Sequence, residues 1–296
     1  LGLTNVQQIV TNGRSTFALL EDRTVWAWGY NRQGQLKDRT TTNRLAPVQT
    51  SMSAVMLLSA GATHFCHRSL LHIGCWGNNS QAQLGNGSRG GYSSSSVRTL
   101  ERTKSVTAGG YHSCAIDDRW GAWCWGDNRS GQLGDRTNTL RDTPQEVGFG
   151  ARFNKIVTGR FHTCGLSGNL NNQGKSLYCW GDNRYGQLGN GREGNWNSPF
   201  NIRGMSREVL DVTAGAYHTC VVKIDRSVWC AGLNTSGALG DGTTTQRNTF
   251  VRVLNVTQGV HLSVGPTAYG TLVSTQTSSI FAWGSNYEGS LGLGDP

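Results

Sequence analysis

Eight cysteines carry the most reactive chemistry in this chain, and their spacing sorts them into four pairs. The pairs are Cys66 with Cys75, Cys114 with Cys124, Cys164 with Cys179, and Cys220 with Cys230. The first of each pair follows a glycine by five residues; the second stands directly before Trp-Gly, or before Ala231-Gly232 in the last pair. His64, His112, His162 and His218 each precede the first cysteine by two residues. Three chemistries use such groups. Facing thiols on neighbouring strands form disulfides. A His-Cys-Cys set can hold zinc with one position open, although the CxxC knuckle is missing. Reduced thiols pack as small apolar side chains.

The elements that must position these residues repeat. The phrase WGDNRSGQLGD at Trp125 recurs as WGYNRQGQLKD, WGNNSQAQLGN, WGDNRYGQLGN, AGLNTSGALGD and WGSNYEGSLGL, beginning at Trp28, Trp76, Trp180, Ala231 and Trp283. A second phrase, AGGYHSCAI in the third unit, precedes each. Every unit reads as brief strands of alternating polarity joined by glycine turns, with a longer polar connection to the next. Helical periodicity is weak throughout. Glycine is abundant at 41 residues, prolines number 5, and no period of three exists, so collagen is excluded and many tight turns are expected. A repeated four-stranded sheet with one large aromatic per unit points to an all-β propeller, because a blade has two apolar faces that only neighbours can bury.

The paired phrases AGxxHxCAL and WGxNxxGQLGxG resemble the regulator-of-chromosome-condensation repeat, and the resemblance covers the whole chain. It implies a single propeller domain over residues 1–296. Rings of that family usually have seven blades, and six units are visible here, so six blades are expected, with a seven-bladed ring lacking one blade as the alternative. The N-terminal strand at 5–10, with Val6 and Ile9, is expected to join the C-terminal blade and clasp the ring. Units one and six lack cysteine; they place Ala18 and Ala27, and Gly270 and Ala282, at the corresponding slots. A unit thus has both cysteines or neither, which favours four disulfides, each closing a short hairpin loop and contributing on the order of 3 kcal/mol. Such bridges imply an oxidising compartment, extracellular or at a cell surface. The four histidines are expected to be hydrogen-bonded core residues, with no metal and no cofactor.

No catalytic motif is present: there is no GxSxG elbow, Walker loop, HExxH or dinucleotide fingerprint, so no catalytic residue is assigned. Asp127, Asp135, Asp182 and Asp241 recur at equivalent turns and are expected to cap them. The chain carries 27 Lys and Arg against 18 Asp and Glu, a formal charge of +9, scattered rather than in runs, which does not favour nucleic acid. No apolar stretch reaches the roughly 18 residues of a membrane-spanning helix, so no membrane insertion is expected.

Binding is expected on the connections where units differ, at 37–48, 86–99, 135–148 and 190–208. The last contains Arg192, Trp196, Phe200, Arg203 and Arg207, an aromatic–arginine set of the kind that makes interaction hot spots. An insertion at 167–177 is expected to project from the ring. Of the sequons at Asn78, Asn86, Asn128, Asn234 and Asn255, the freer glycosylation candidates are Asn86 and Asn255. The expected function is an extracellular protein-binding or scaffold propeller, as a subunit of a surface assembly or an inhibitor-like binder that caps its partner with one loop face. Glycan binding is the alternative. The resemblance itself implies another, nucleotide exchange on a Ran-type GTPase with chromatin binding, and the paired cysteines argue against that nuclear role.

Overall fold

The computed structural model describes residues 2–292 apart from 71, 149, 151 and 169–173. Its strands form six antiparallel sheets in the order of the six repeats. Blade three shows the pattern: strand a is Thr103–Ala108, b is His112–Asp117, c is Ala122–Gly126 and d is Arg141–Glu146. Strands a to d are consecutive in sequence and adjacent in the sheet, so each pairing closes only a short loop and its entropic cost is small. The six a strands meet on the axis and line a channel of about 300 Å³ with Gln8, Thr11, Ser59, Thr107, Thr158 and Thr213 among its wall residues.

Strand b is buried on both sides rather than alternately. In His112–Asp117 all residues but the last are enclosed, because the neighbouring blades cover both faces of the sheet. Polarity alternates cleanly in neither b nor c, and the outermost strands d carry most of the solvent exposure. Five apolar clusters fill the five seams between consecutive blades. That between blades one and two gathers Phe17, Leu19, Phe65 and Trp76, and that between blades three and four gathers Ile116, Leu133, Phe153 and Trp180. Four repeat tryptophans reach back across their seams: the indoles of Trp76, Trp125, Trp180 and Trp283 donate to the carbonyls of Gln35, Gln83, Gln132 and Ala238 at 2.9–3.0 Å.

Two expectations from the sequence are corrected here. The N-terminal strand, Val6–Thr11, is strand a of blade one and pairs with Ser15–Leu20; it does not join the last blade. The tight turn at Gly13, with φ of 83°, makes this local hairpin the short-range solution. The last sheet has three strands among the described residues, Gly259–Ser263, Gly270–Thr275 and Ile280–Gly284. In it Leu272, not Gly270, faces Ala282 at the cysteine slot, while Gly270 faces Gly284 as His112 faces Gly126. The turn Gly265–Tyr269 shifts the count by two residues. Leu272 is 38% exposed, whereas Cys66, Cys114, Cys164 and Cys220 at the same slot are fully enclosed. Ile9, Ile280 and Phe281 are exposed as well, so apolar exposure concentrates on the first and last blades.

Glycine is required where strand c ends against the a–b turn. Gly126 has φ of 103°, and a Cβ there would lie 2.7 Å from the Tyr111 carbonyl and 2.9 Å from His112 Cα. Gly237 also has positive φ, 69°, but nothing lies within 4 Å of its would-be Cβ. Gly126→Ala should therefore destabilise by roughly 2–4 kcal/mol and Gly237→Ala by about 1 kcal/mol, the difference being the steric part. Thermal unfolding of the two variants checks this, and equal losses would contradict it.

Candidate binding face

The cysteine pairs lie directly opposite each other on strands b and c, and all four are disulfides: Cys66–Cys75, Cys114–Cys124, Cys164–Cys179 and Cys220–Cys230, each with Cα atoms 4.1 Å apart. With the sulfurs bonded to one another, the zinc arrangement has no thiolates to use. No cluster of His, Cys, Asp and Glu suited to a metal occurs among the described residues.

The histidines are mortar between blades. Nε2 of His64, His112, His162 and His218 lies 2.8–2.9 Å from a hydroxyl of the next blade, on Ser113, Thr163, Thr219 and Thr271. Ser113, Thr163 and Thr219 in turn donate their single proton to the carbonyls of Gln83, Gln132 and Gln187. A hydroxyl that donates there can only accept from the imidazole, so those rings carry their proton on Nε2. Nδ1 of His64, His112 and His162 is buried without a partner. Burial pushes the four pKa values down, to about 3 for His64 and His112 and about 4 for His162 and His218.

The recurrent aspartates are tied to arginines. Asp135 and Asp241 pair with Arg141 and Arg247 and accept from Asn128 and Asn234, which also donate to carbonyls of Thr137 and Thr243. Both asparagines are fully buried, so their sequons are closed to modification. Asn86 and Asn255 are exposed, as glycosylation requires.

The five residues expected at the 190–208 connection do not form one patch. Arg192 lies over the Trp196 ring at 5.9 Å, and Trp196 packs on Phe200 at 4.8 Å, both aromatics half-buried against the core of blade four. Arg203 lies beyond the far end of that strand, in an outer-wall groove of about 400 Å³ shared with Lys223, Trp229 and Phe250. Arg207 sits apart, in the left-handed region, with its amide bonded to Ser176 Oγ. The tip of the 167–177 insertion, 169–173, lies outside the described residues; its base is bound, since Lys175 bridges Val209.

A different set of side chains gathers at the channel mouth, on the face where strand a turns into b and where c leads to d. Tyr111, Phe161, Tyr217 and Tyr269, each one residue before the histidine slot, form an aromatic arc with ring centroids 5.6, 6.5 and 6.0 Å apart. Tyr185 adds an edge contact to Tyr217 at 5.0 Å. Arg160 lies over both Phe161 and Tyr217, at 5.5 and 5.6 Å, with its Nε buried and unpartnered. Arg129 and Arg184 stand beside the arc. Each grips the aspartate two residues earlier through Nε and Nη2, Asp127 and Asp182 being buried. A groove of about 330 Å³ runs between them, lined by Phe161, Ser130 and Asn195. The sequence held two signals for this site: an aromatic before the histidine slot in four units, and Asp-Asn-Arg in units three and four alone.

The buried histidines make the ring acid-sensitive. Their folded pKa values lie below the ordinary 6.5, so as pH falls the unfolded chain takes up protons first. Their contribution is complete above about pH 6.5 and is lost as pH falls toward 4, at up to about 1.4 kcal/mol per pH unit for each histidine. Urea unfolding between pH 7 and 4.5 should show this slope, reduced in His112→Gln; a pH-independent midpoint would refute it.

Two models described as the regulator of chromosome condensation (RCC1) repeat match the chain, one at residues 75–116, 121–166 and 176–222, the other at 6–35, 104–132, 153–187 and 209–238. The ultraviolet-B receptor UVR8 of Arabidopsis thaliana is 26% identical over 281 residues, 92% of this chain and 63% of the receptor, so the chain spans less than two thirds of that relative. Among solved structures, human WBSCR16 superposes with a TM-score of 0.85 at 22% identity, over 100% of this chain and 80% of that one. Yeast RCC1 (Prp20), in a structure with Kap60 bound, superposes with a TM-score of 0.82 at 19% identity, over 98% and 72%. At such identities these structures share the fold.

Proposed function

The chain belongs to the regulator-of-chromosome-condensation (RCC1) repeat family, and from that premise we propose that it is a protein-binding propeller that works outside the reducing interior of the cell and engages its partner with the channel-mouth face. The observation that carries this is the division of labour among polar groups. The histidines, the loop asparagines and most repeat aspartates are consumed in holding blades and loops together. At the mouth, by contrast, aromatic rings and arginines stand partly exposed on a rigid frame, the composition that dominates interface hot spots. Yeast RCC1 has been captured with a protein, Kap60, which supports protein binding as the general activity of such rings. The four disulfides support an oxidising compartment, and with it a secreted or surface-attached molecule. The aspartates and arginines of the ring serve as ion pairs and turn caps, which supports recognition rather than catalysis.

Glycan binding is a second reading with its own observation. The outer-wall groove brings Trp229 together with Arg203, Lys223 and Asn190, an aromatic platform with a polar rim.

Two measurements test the main reading. Denatured, unreduced protein should show no reactive thiol; eight would place the chain in a reducing compartment. A photo-crosslinking residue at Tyr185, on the mouth face, should capture one protein saturably from the native extracellular surface. The same label at the exposed Ile224, beyond strand b on the opposite face, should not. Capture from both faces alike, or from neither, would overturn the assignment.

A further inference from the structure

We propose that Arg129 and Arg184, on either side of the groove floored by Phe161, form a pincer for the carboxylates of an acidic, aromatic-containing peptide segment of the partner protein. This rests on the reading that the mouth face binds protein. A guanidinium has five N–H donors in a rigid fork. In both residues, Nε and one Nη2 hydrogen are spent on a buried aspartate of the same repeat, at 2.9–3.2 Å. Those bonds fix each guanidinium plane and leave the Nη1 edge unspent. The side chains of Arg129 and Arg184 are 69% and 58% exposed, so the unspent edges are open to a ligand. Two oriented forks facing a groove are pre-organised for carboxylate, which pairs with arginine bidentately.

The fold does not require this tripeptide. Where units three and four have Asp127-Asn128-Arg129 and Asp182-Asn183-Arg184, the other units have Tyr30-Asn31-Arg32, Asn78-Asn79-Ser80, Leu233-Asn234-Thr235 and Ser285-Asn286-Tyr287. Only the central asparagine is constant, and it is the one buried in the loop staple. The flanking aspartate and arginine are therefore a local device of two adjacent blades.

The surroundings select among anions. Arg160 places an additional positive charge on the arc, over Phe161 and Tyr217, with no carboxylate partner among the described residues. Asp127 and Asp182 already neutralise the two pincer arginines. A phosphodiester chain draws its affinity from neutralising several free cations in a row, and here two of the three arginines are already ion-paired. A peptide segment offers discrete carboxylates for the forks and aromatic side chains for Tyr111, Phe161 and Tyr217, so it uses the whole arc.

The test uses a short fluorescein-labelled peptide alternating glutamate and phenylalanine, titrated with the intact oxidised protein and followed by anisotropy. The expected result is saturable binding, weakened about tenfold or more in the double variant R129Q/R184Q and by a similar factor when the peptide's glutamates are replaced by glutamine. The variant removes the ion-pair partners of two buried carboxylates, so a lowered unfolding midpoint is expected and measured alongside, and binding is compared at a temperature where both proteins are folded. Wild-type affinity in a folded R129Q/R184Q, equal binding of the glutamine peptide, or tighter binding of single-stranded DNA would each overturn the pincer. If crosslinking at Tyr185 still captures a protein with R129Q/R184Q, the pincer fails and the binding face stands. If Tyr185 captures none, the face itself fails.

Discussion

The structure depends on one contact repeated at the blade seams: an imidazole giving its proton to a hydroxyl of the next blade, which passes its own to a carbonyl of the first. It is completed at His64–Ser113–Gln83, His112–Thr163–Gln132 and His162–Thr219–Gln187. The chain of donors is directional, so it requires a proton on Nε2; burial keeps the ring neutral, and the two together fix the tautomer. It also dictates glycine nearby. A Cβ on Gly109 would lie 2.9 Å from the His112 ring and 2.8 Å from the Gly159 carbonyl. The Ala-Gly and Trp-Gly pairs of the repeat are thus the two places where backbone must pass against the relay. The tryptophan indoles reinforce the same seams from the opposite blade, two of them on the same glutamine carbonyls.

Much of this was legible in the sequence because repetition is a strong signal. Six copies of one phrase, five of them opening on Trp-Gly, point to the propeller, and matched cysteine slots point to all four bridges. Legibility failed where local spacing departs from the repeat. Two extra residues in Gly265–Tyr269 moved the last unit's slot from Gly270 to Leu272. A strand of the form VQQI is compatible with a blade at either end of the chain, and it pairs with Ser15–Leu20 across the turn at Gly13. Trp196 stood out by composition, yet it is half committed to the core of its own blade. The mouth is inconspicuous in the sequence for the opposite reason. Its aromatics occupy one slot in units some fifty residues apart, and only ring curvature brings Tyr111, Phe161, Tyr217 and Tyr269 into a single arc.

Framework and recognition are separated by position along the strands. Midway, side chains are enclosed on both sides and serve packing. At the mouth, the strands release their last residues to solvent while the backbone remains anchored: the amides of Asp127 and Asp182 donate to the carbonyls of Tyr111 and Phe161. The arc can therefore vary chemically without disturbing the seams, which explains how blades one and two carry Arg14 and Thr63 at the slot that is aromatic in the other four. A common frame can carry different sites when recognition and packing are separated in this way.

The disulfides join strands b and c of one blade, across 9 to 15 residues, and none crosses a seam. Tension applied to the two termini would therefore load only non-covalent joints between blades, and the ring would part petal by petal. Each of the four sutured hairpins would yield no length beyond its own closure. Such a molecule would lengthen in discrete steps under force and keep its registered strand pairs ready for re-annealing once the load is gone.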